Sequence, residues 1–307
     1  MRFVLARGLV WCFWIGALAA GNASAAQAAR PGKLKVYISV DMEGVAGTVT
    51  QDQLGPTGFE YGKAREWMTQ EALAAVGAAK QAGATEILVS DSHGNMENLL
   101  IELFPPDVRI VRSRPRRFSM MAGIDASFDA VLFIGYHASA GNPRGVRAHT
   151  ISSAYLSRVA LNGVAVSEGA LNAAIAGHFL VPVVMMSGDD AAIDEVRSMV
   201  GPMEAAQTKK SLGFHSAETL TPHASSLLIA QTVKAALARR SEFKPYVLKP
   251  PIVVEVGFKN YMPAEALSYL RGVQRVDSRA IRFPAKDMLE ASDFLVFLTT
   301  YNLALEP

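Results

Sequence analysis

Cysteine is almost missing from this chain. The single thiol, Cys12, lies in the N-terminal segment "MRFVLARGLVWCFWIGALAAGNASAAQ". The chain therefore has no internal disulfide, and no thiolate cluster can bind a soft metal. Any metal must be held by imidazole and carboxylate. "LVWCFW" also lacks the small residues expected around a lipid-modified cysteine. An excess of either charge is missing too. Thirty Lys and Arg stand against 28 Asp and Glu, a formal net charge of +2, with no basic tail or charge block. That balance gives no reason to expect a nucleic-acid partner. The local run "VRSRPRRF", with Arg112, Arg114, Arg116 and Arg117, reads as a solvated loop or a subunit contact. No Walker loop, G-x-G-x-x-G or G-x-S-x-G elbow occurs, so nucleotide binding and a serine nucleophile are unsupported.

What is present begins with an export signal. Arg2 and Arg7 precede an apolar stretch from about Gly8 to Ala20, and Ala23-Ser24-Ala25 follows as an A-x-A site. That layout predicts a secretory signal peptide over 1–25, cleaved after Ala25. The apolar stretch is short against the roughly 20 residues of a membrane span. A periplasmic or secreted location is expected, with no membrane association after cleavage. Half of the residues are apolar, enough for a full core in one large domain or two ordinary ones.

Short apolar runs alternate with helical patterns. "LKVYISV", "TEILVS", "VRIV", "AVLFIGY" and "VPVVMMS" read as strands. "GKAREWMTQEALAAVGAAKQAG" reads as a helix stopped by Gly83, and "EGALNAAIAGHF" as a second helix. Asn162-Gly163, between two alternating runs, predicts a hairpin. The alternation predicts an α/β fold: a mixed, largely parallel sheet flanked by helices, with the hairpin making the sheet mixed. Beyond about residue 200 the helices "SSLLIAQTVKAALARR" and "AEALSYLRG", the strands "PPIVVEVGF" and "AIRFPA", and a C-terminal helix from "KDMLEA" predict a smaller second α/β domain. The expected division is a metal-binding α/β domain over 32–205 and the smaller domain over 206–307.

The strand ends carry the chemistry. Asp41 and Glu43, in "SVDMEG", are two residues apart at the end of a strand. Extended backbone points residues i and i+2 to one side, so the two carboxylates converge. Such a pair resists joint ionisation unless a cation sits between. Gly44 follows and allows a sharp, close turn. His93 stands just past "ILVSDS", His137 just past "VLFIGY", and Glu168 where a strand passes into a helix. Ligands bind outside the carboxyl ends of strands in open α/β sheets. Two imidazoles and three carboxylates suit a pair of zinc ions, about 3.5–4 Å apart, that activate a water and polarise a carbonyl. His149 ends the Gly-rich stretch "ASAGNPRGVRAHT" and is a candidate proton shuttle or stabiliser of the tetrahedral intermediate. Asp189 and Asp190 read more simply as helix caps. Asp91 and Ser92 read as caps or as groups that orient the ligands. His178 reads as structural, and His215 and His223 as caps or surface residues.

The segments "YISVDMEGVAG", "VSDSHGNMENL", "FIGYHASAG", "AVSEGALNAAIAGH", "VPVVMMSGDD" and "FPAKDMLEA" together resemble the D-aminopeptidases of the DppA type, peptidase family M55. The resemblance runs in order from about 34 to 300. It implies a binuclear zinc aminopeptidase with a two-domain α/β subunit in a ring-shaped homo-oligomer. Its zinc ligands fall on Asp41, Glu43, His93, His137 and Glu168, with Asp41 bridging. Glu43 and His137 would complete one zinc site, and His93 and Glu168 the other. The family's catalytic histidine falls on His149, either as nucleophile or as a group that moves protons or holds the oxyanion while hydroxide attacks. The expected substrate is a short peptide with an N-terminal D-residue such as D-Ala. Another metal-dependent amidase or esterase on the same scaffold, or a periplasmic solute-binding protein, are the competing readings.

Overall fold

The computed structural model describes Met1 and residues 33–301. The expected signal peptide lies outside the described residues apart from Met1, and so does the end of the C-terminal segment. The elements in order are β1 (Leu34–Val40), α1 (Tyr61–Gln81), β2 (Ala84–Asp91), β3 (Arg109–Val111), β4 (Ala130–Tyr136), β5 (Leu156–Leu161), β6 (Val164–Ala165), α2 (Glu168–His178), β7 (Val183–Asp189), α3 (Asp190–Val200), β8 (Glu204–Gly213), β9 (Ser216–Thr219), α4 (Pro222–Ala238), β10 (Ile252–Phe258), α5 (Met262–Leu267), β11 (Gln274–Arg275), β12 (Ala280–Ala285) and α6 (Met288–Thr300).

Seven strands form the main sheet in the order β3-β2-β1-β4-β7-β8-β9. All its pairs are parallel except the last, β8 with β9. A continuous apolar strand buried on both faces is the mark of such a sheet, and β4 is buried at every residue. Alternation sorts the side chains. Val36, Ile38 and Val40 of β1 join Leu132 and Ile134 of β4 in a core with Ala64, Met68 and Ala72 of α1 and Ile229 and Val233 of α4. Tyr37 and Phe133 point the other way, into a second core shared with α2, α3, α6 and the second sheet.

That second sheet is antiparallel, β11-β12-β10-β5-β6. The Asn162-Gly163 hairpin forms as β5 and β6, with φ of 50° and 84° at its two turn residues. It does not enter the main sheet, however. Asn162 exchanges two hydrogen bonds with Val253, one from its backbone and one through its side chain, and this fastens the hairpin beside β10. The main sheet owes its mixed character to the β8–β9 hairpin instead. The polar run "EAAQTKKSLG" gives little period-2 signal for β8. A cut between 205 and 206 falls inside β8, and the second sheet draws strands from both sides of it.

Helix ends follow their sequence signals. Ser167, Asp189, Thr221 and Asp287 each cap a helix through the side chain. Gly83, at φ +94°, takes the left-handed position beyond α1. Among the described residues, no helix is long and apolar enough to cross a membrane.

Candidate metal centre and active site

β1 lies between β2 and β4. The chain leaves β1 for one neighbour and reaches the other only after a second crossover, so the order reverses here. A crevice opens at such a reversal, outside the carboxyl ends of the strands. Asp41 and Glu43 leave β1, His93 follows β2, His137 follows β4, and Glu168 opens α2 behind the Ser167 cap. All five are buried. The crevice is narrow because backbone meets backbone. Gly44 N–H donates to Gly135 O at 2.7 Å. A Cβ at Gly44 would stand 2.1 Å from Tyr136 O, and one at Gly135 (φ +73°) 2.2 Å from Asp41 O. No side chain fits either place.

Three histidines face this crevice in the same way. A carbonyl oxygen only accepts, so a ring nitrogen bonded to one must carry the proton. His93 Nε2 donates to Leu54 O at 2.8 Å, which turns Nδ1 toward Asp41 Oδ1 at 3.2 Å and Glu43 Oε2 at 2.9 Å. His137 Nδ1 donates to Ala138 O at 2.9 Å, which leaves Nε2 at 3.4 Å from Asp41 Oδ2 and 3.5 Å from Glu168 Oε1. His149 Nδ1 donates to Arg147 O at 2.8 Å, with Nε2 at 3.9 Å from Glu43 Oε1 and 3.7 Å from Glu168 Oε1. The rings of His137 and His149 stack at 4.1 Å. Neutral imidazole nitrogens would repel these carboxylate oxygens, and a cation between them, a proton or a metal ion, removes the conflict. Asp41 Oδ2 and His137 Nε2 are both buried without a hydrogen-bond partner. This donor set fits zinc, and the backbone bonds on the far ring nitrogens fix the tautomer a ligand needs.

The electrostatics agree. Burial, and then the charge of Glu43, push the Asp41 carboxyl up to about 8. Burial opposes charge on Glu43 as well, but His93 and His137 draw it well below the ordinary carboxylate range. Burial would lower His93 and His137, yet the carboxylates beside them hold both well above the usual imidazole value. Protons are held where a cation would sit. His149 differs: burial and then the neighbouring His137 lower it.

Within 4.8 Å spheres, Asp41 groups with Glu43 and His93 on one side and with His137 and Glu168 on the other. Glu43 also groups with His137 and His149. The grouping implied by the family resemblance set His93 beside Glu168, but no group contains both. His93 and the β1 carboxylates hang from adjacent strands, whereas Glu168 arrives on α2 near β4.

Supporting residues fix the loops. Asp91 accepts from Asn98 N, Leu99 N and Asn98 Nδ2, and Asn98 in turn bonds His93 O. Ser92 bonds Ser39 and Met120 O beneath. Asp189 caps α3 and also accepts from Val146 N, pinning the loop before His149, while Asp190 accepts from Ser211 N. His178 packs on Phe179 and His223 is exposed. Arg116, read as a solvated loop residue, turns inward to Ser90 Oγ and Asp91 O, whereas Arg117 pairs with Asp293 at the surface. Three residues escaped the sequence reading. Lys209 of β8 is buried, with its ammonium on the carbonyls of Glu43, Val45 and Thr48. Glu71 of α1 accepts from Ala46 N and Ser225 Oγ. Arg147 is buried on the wall of the crevice, with His215 against it. Nothing in a polar run such as "TKK" marks its first lysine as internal.

Comparison with known proteins identifies the family. The peptidase M55 family of D-aminopeptidases matches residues 34–297. A D-aminopeptidase of Bacillus subtilis (strain 168) is 33% identical over 267 residues, covering 87% of this chain and 97% of the relative. The solved structure of the zinc-dependent D-aminopeptidase DppA from Bacillus subtilis, a self-compartmentalizing protease, superposes with a TM-score of 0.84 at 32% identity, covering 89% of this chain and all of the other. Shared motifs along nearly all of the described chain, on the same mixed α/β fold, place this protein in the D-aminopeptidase family of M55 peptidases.

Proposed function

We propose that this metallo-aminopeptidase holds two zinc ions per subunit and removes N-terminal D-residues, D-Ala among them, from short peptides. The observation that carries the proposal is the convergence on buried Asp41 of two imidazole nitrogens and two further carboxylates, with Asp41 Oδ2 and His137 Nε2 left without a hydrogen-bond partner. Asp41 would be shared, joining Glu43 and His93 in holding one ion and His137 and Glu168 in holding the other. Zinc in this place supplies Lewis acidity, polarising a carbonyl and acidifying water.

The chain's own groups do the rest. His149 presents Nε2 to the cluster as a free lone pair, because Arg147 O holds the proton on Nδ1. Its lowered pKa keeps it neutral at neutral pH. It takes a proton from the attacking water and returns it to the departing amine. Ile151 N–H donates to Glu168 Oε1 at 2.6 Å and Met42 N–H to Asp41 Oδ1 at 2.9 Å, which holds both carboxylates in place. The self-compartmentalizing relative supports a ring-shaped homo-oligomer, and the N-terminal segment supports export to the periplasm or beyond.

One experiment tests the proposal. Zinc content of the purified protein is measured alongside hydrolysis of D-Ala-D-Ala, L-Ala-L-Ala and simple esters. About two zinc per subunit and cleavage of the D-peptide are expected. Full activity after metal stripping, or cleavage of esters alone, would refute it. His149→Gln should keep its zinc and lose about 100-fold or more in kcat.

A further inference from the structure

The site opens into a cavity of about 740 Å³ whose wall is sharply polarised. Every carboxylate on that wall belongs to the cluster: Asp41, Glu43 and Glu168. The remaining full charges are all guanidinium groups, Arg114, Arg116 and Arg147. With those carboxylates engaged in the cluster, the guanidinium groups are the charges on the wall left to meet a substrate carboxylate.

The three arginines are not equivalent. Arg114 is exposed. Arg116 turns its Nε and Nη2 away to Ser119 O, Ser90 Oγ and Asp91 O, leaving Nη1 without a partner. Arg147 is buried and has no carboxylate at ion-pair distance among the described residues. Its Nη2 donates to Gln51 Oε1 at 2.5 Å, its Nη1 to His215 Nδ1 at 3.2 Å, and its Nε has no partner. The guanidinium lies 4.9 Å from the centre of the Phe214 ring, which fixes its plane. The backbone is also forced: Arg147 has φ +54°, a left-handed conformation unfavourable for a non-glycine residue. A buried cation without a counter-charge is expensive, and strain of this kind persists where function requires the placement.

We infer that Arg147 is the receptor for the C-terminal carboxylate of the substrate, so the enzyme selects short peptides whose free carboxylate lies one or two residues beyond the cleaved bond. The inference rests on the aminopeptidase reading and narrows its substrate class. Reach supports it. Arg147 is rooted two residues before His149, and both line the same cavity as Asp41, Glu43 and Glu168. Gln51 and His215 orient the fork, and a carboxylate supplies the charge the protein withholds.

The test compares D-Ala-D-Ala with D-Ala-D-Ala amide on the zinc-loaded protein. The wild type is expected to prefer the acid by about tenfold or more in kcat/KM, mainly through KM. Arg147→Gln should lower the acid-to-amide ratio by roughly tenfold, to near one, and Arg147→Lys, which keeps charge but loses the fork, by an intermediate factor. A wild type that cleaves both equally overturns the inference and leaves the aminopeptidase reading standing. An unchanged ratio in Arg147→Gln also overturns it, even if both rates fall, because Arg147 would then act on the metal cluster. A wild type that cleaves neither peptide removes both. Should Arg147→Gln not fold, the wild-type ratio and Arg147→Lys still decide.

Discussion

Two places on the same sheet edge gather buried charge around the residues that follow β1, and they solve the problem in opposite ways. Beneath the loop 43–48, the ammonium of Lys209 meets the carbonyls of Glu43, Val45 and Thr48, and its donors are filled. Across the same loop, Asp41 and its neighbours crowd carboxylates and imidazoles together and leave Asp41 Oδ2 and His137 Nε2 without partners. One cation site is completed by the chain itself. The other is built to the same standard of burial and left for an ion from outside. Stability and chemistry are thus divided between adjacent sites, and Glu43 belongs to both, with its backbone in the first and its carboxylate in the second.

The sharpest way to break that contrast is to remove the shared carboxylate. Asp41→Asn should lower kcat/KM by about 1,000-fold or more, abolish tight binding of at least one metal, and remove most of the rise in Tm that zinc gives the wild type. The metal-free variant should unfold close to the metal-free wild type, since burial already pushes the Asp41 carboxyl up to about 8 and keeps it protonated at neutral pH. A variant that still gains stability from zinc as the wild type does would remove Asp41 from the centre. Lys209→Met attacks the other site. It strands three carbonyls, of which two accept at 2.6 and 2.8 Å, and should cost about 3–5 kcal/mol by denaturant unfolding whether or not zinc is present. A loss seen only in the zinc-loaded protein would show that Lys209 serves the metal alone.

The two sites also differ in how far the sequence reveals them. Asp41, Glu43, His93, His137 and Glu168 stand out because unusual residue types follow apolar runs, and strand ends in an α/β sheet point to one crevice. The partnership of His93 with Glu43 is not readable that way. It depends on β1 lying between β2 and β4, a matter of strand order rather than of strand identity. Lys209 is less readable still. Its acceptors are backbone carbonyls some 160 positions earlier, and backbone leaves no mark in a sequence. The same limit misplaced the Asn162-Gly163 hairpin. Its turn is local and legible, but its neighbour β10 is chosen by packing about ninety residues away.

A smaller effect sharpens the contrast from the other side of loop 43–48. Glu71 takes the amide of Ala46 while Lys209 takes the carbonyls, so the loop is held by one buried acid and one buried base. Burial raises the Glu71 carboxyl to about 7, against the hydrogen bonds from Ala46 and Ser225 and the charge of Lys209. The folded protein therefore binds this proton more tightly than the unfolded chain does. The resulting stability is fully present below about pH 4.5 and is lost as pH rises through about 7, a fall of about 3 kcal/mol. The difference in unfolding free energy between Glu71→Gln and the wild type, at constant zinc, should rise over that window and level off above it. Parallel curves would show that Glu71 does not titrate there. Ser225→Ala is the finest probe. It removes one donor at 2.7 Å and should cost about 1 kcal/mol at pH 8. Because the lost bond favours the charged carboxylate, the midpoint of the slope should move to higher pH. If it moves lower, the hydroxyl was accepting the Glu71 proton rather than donating its own, and Glu71 is then neutral wherever that bond exists.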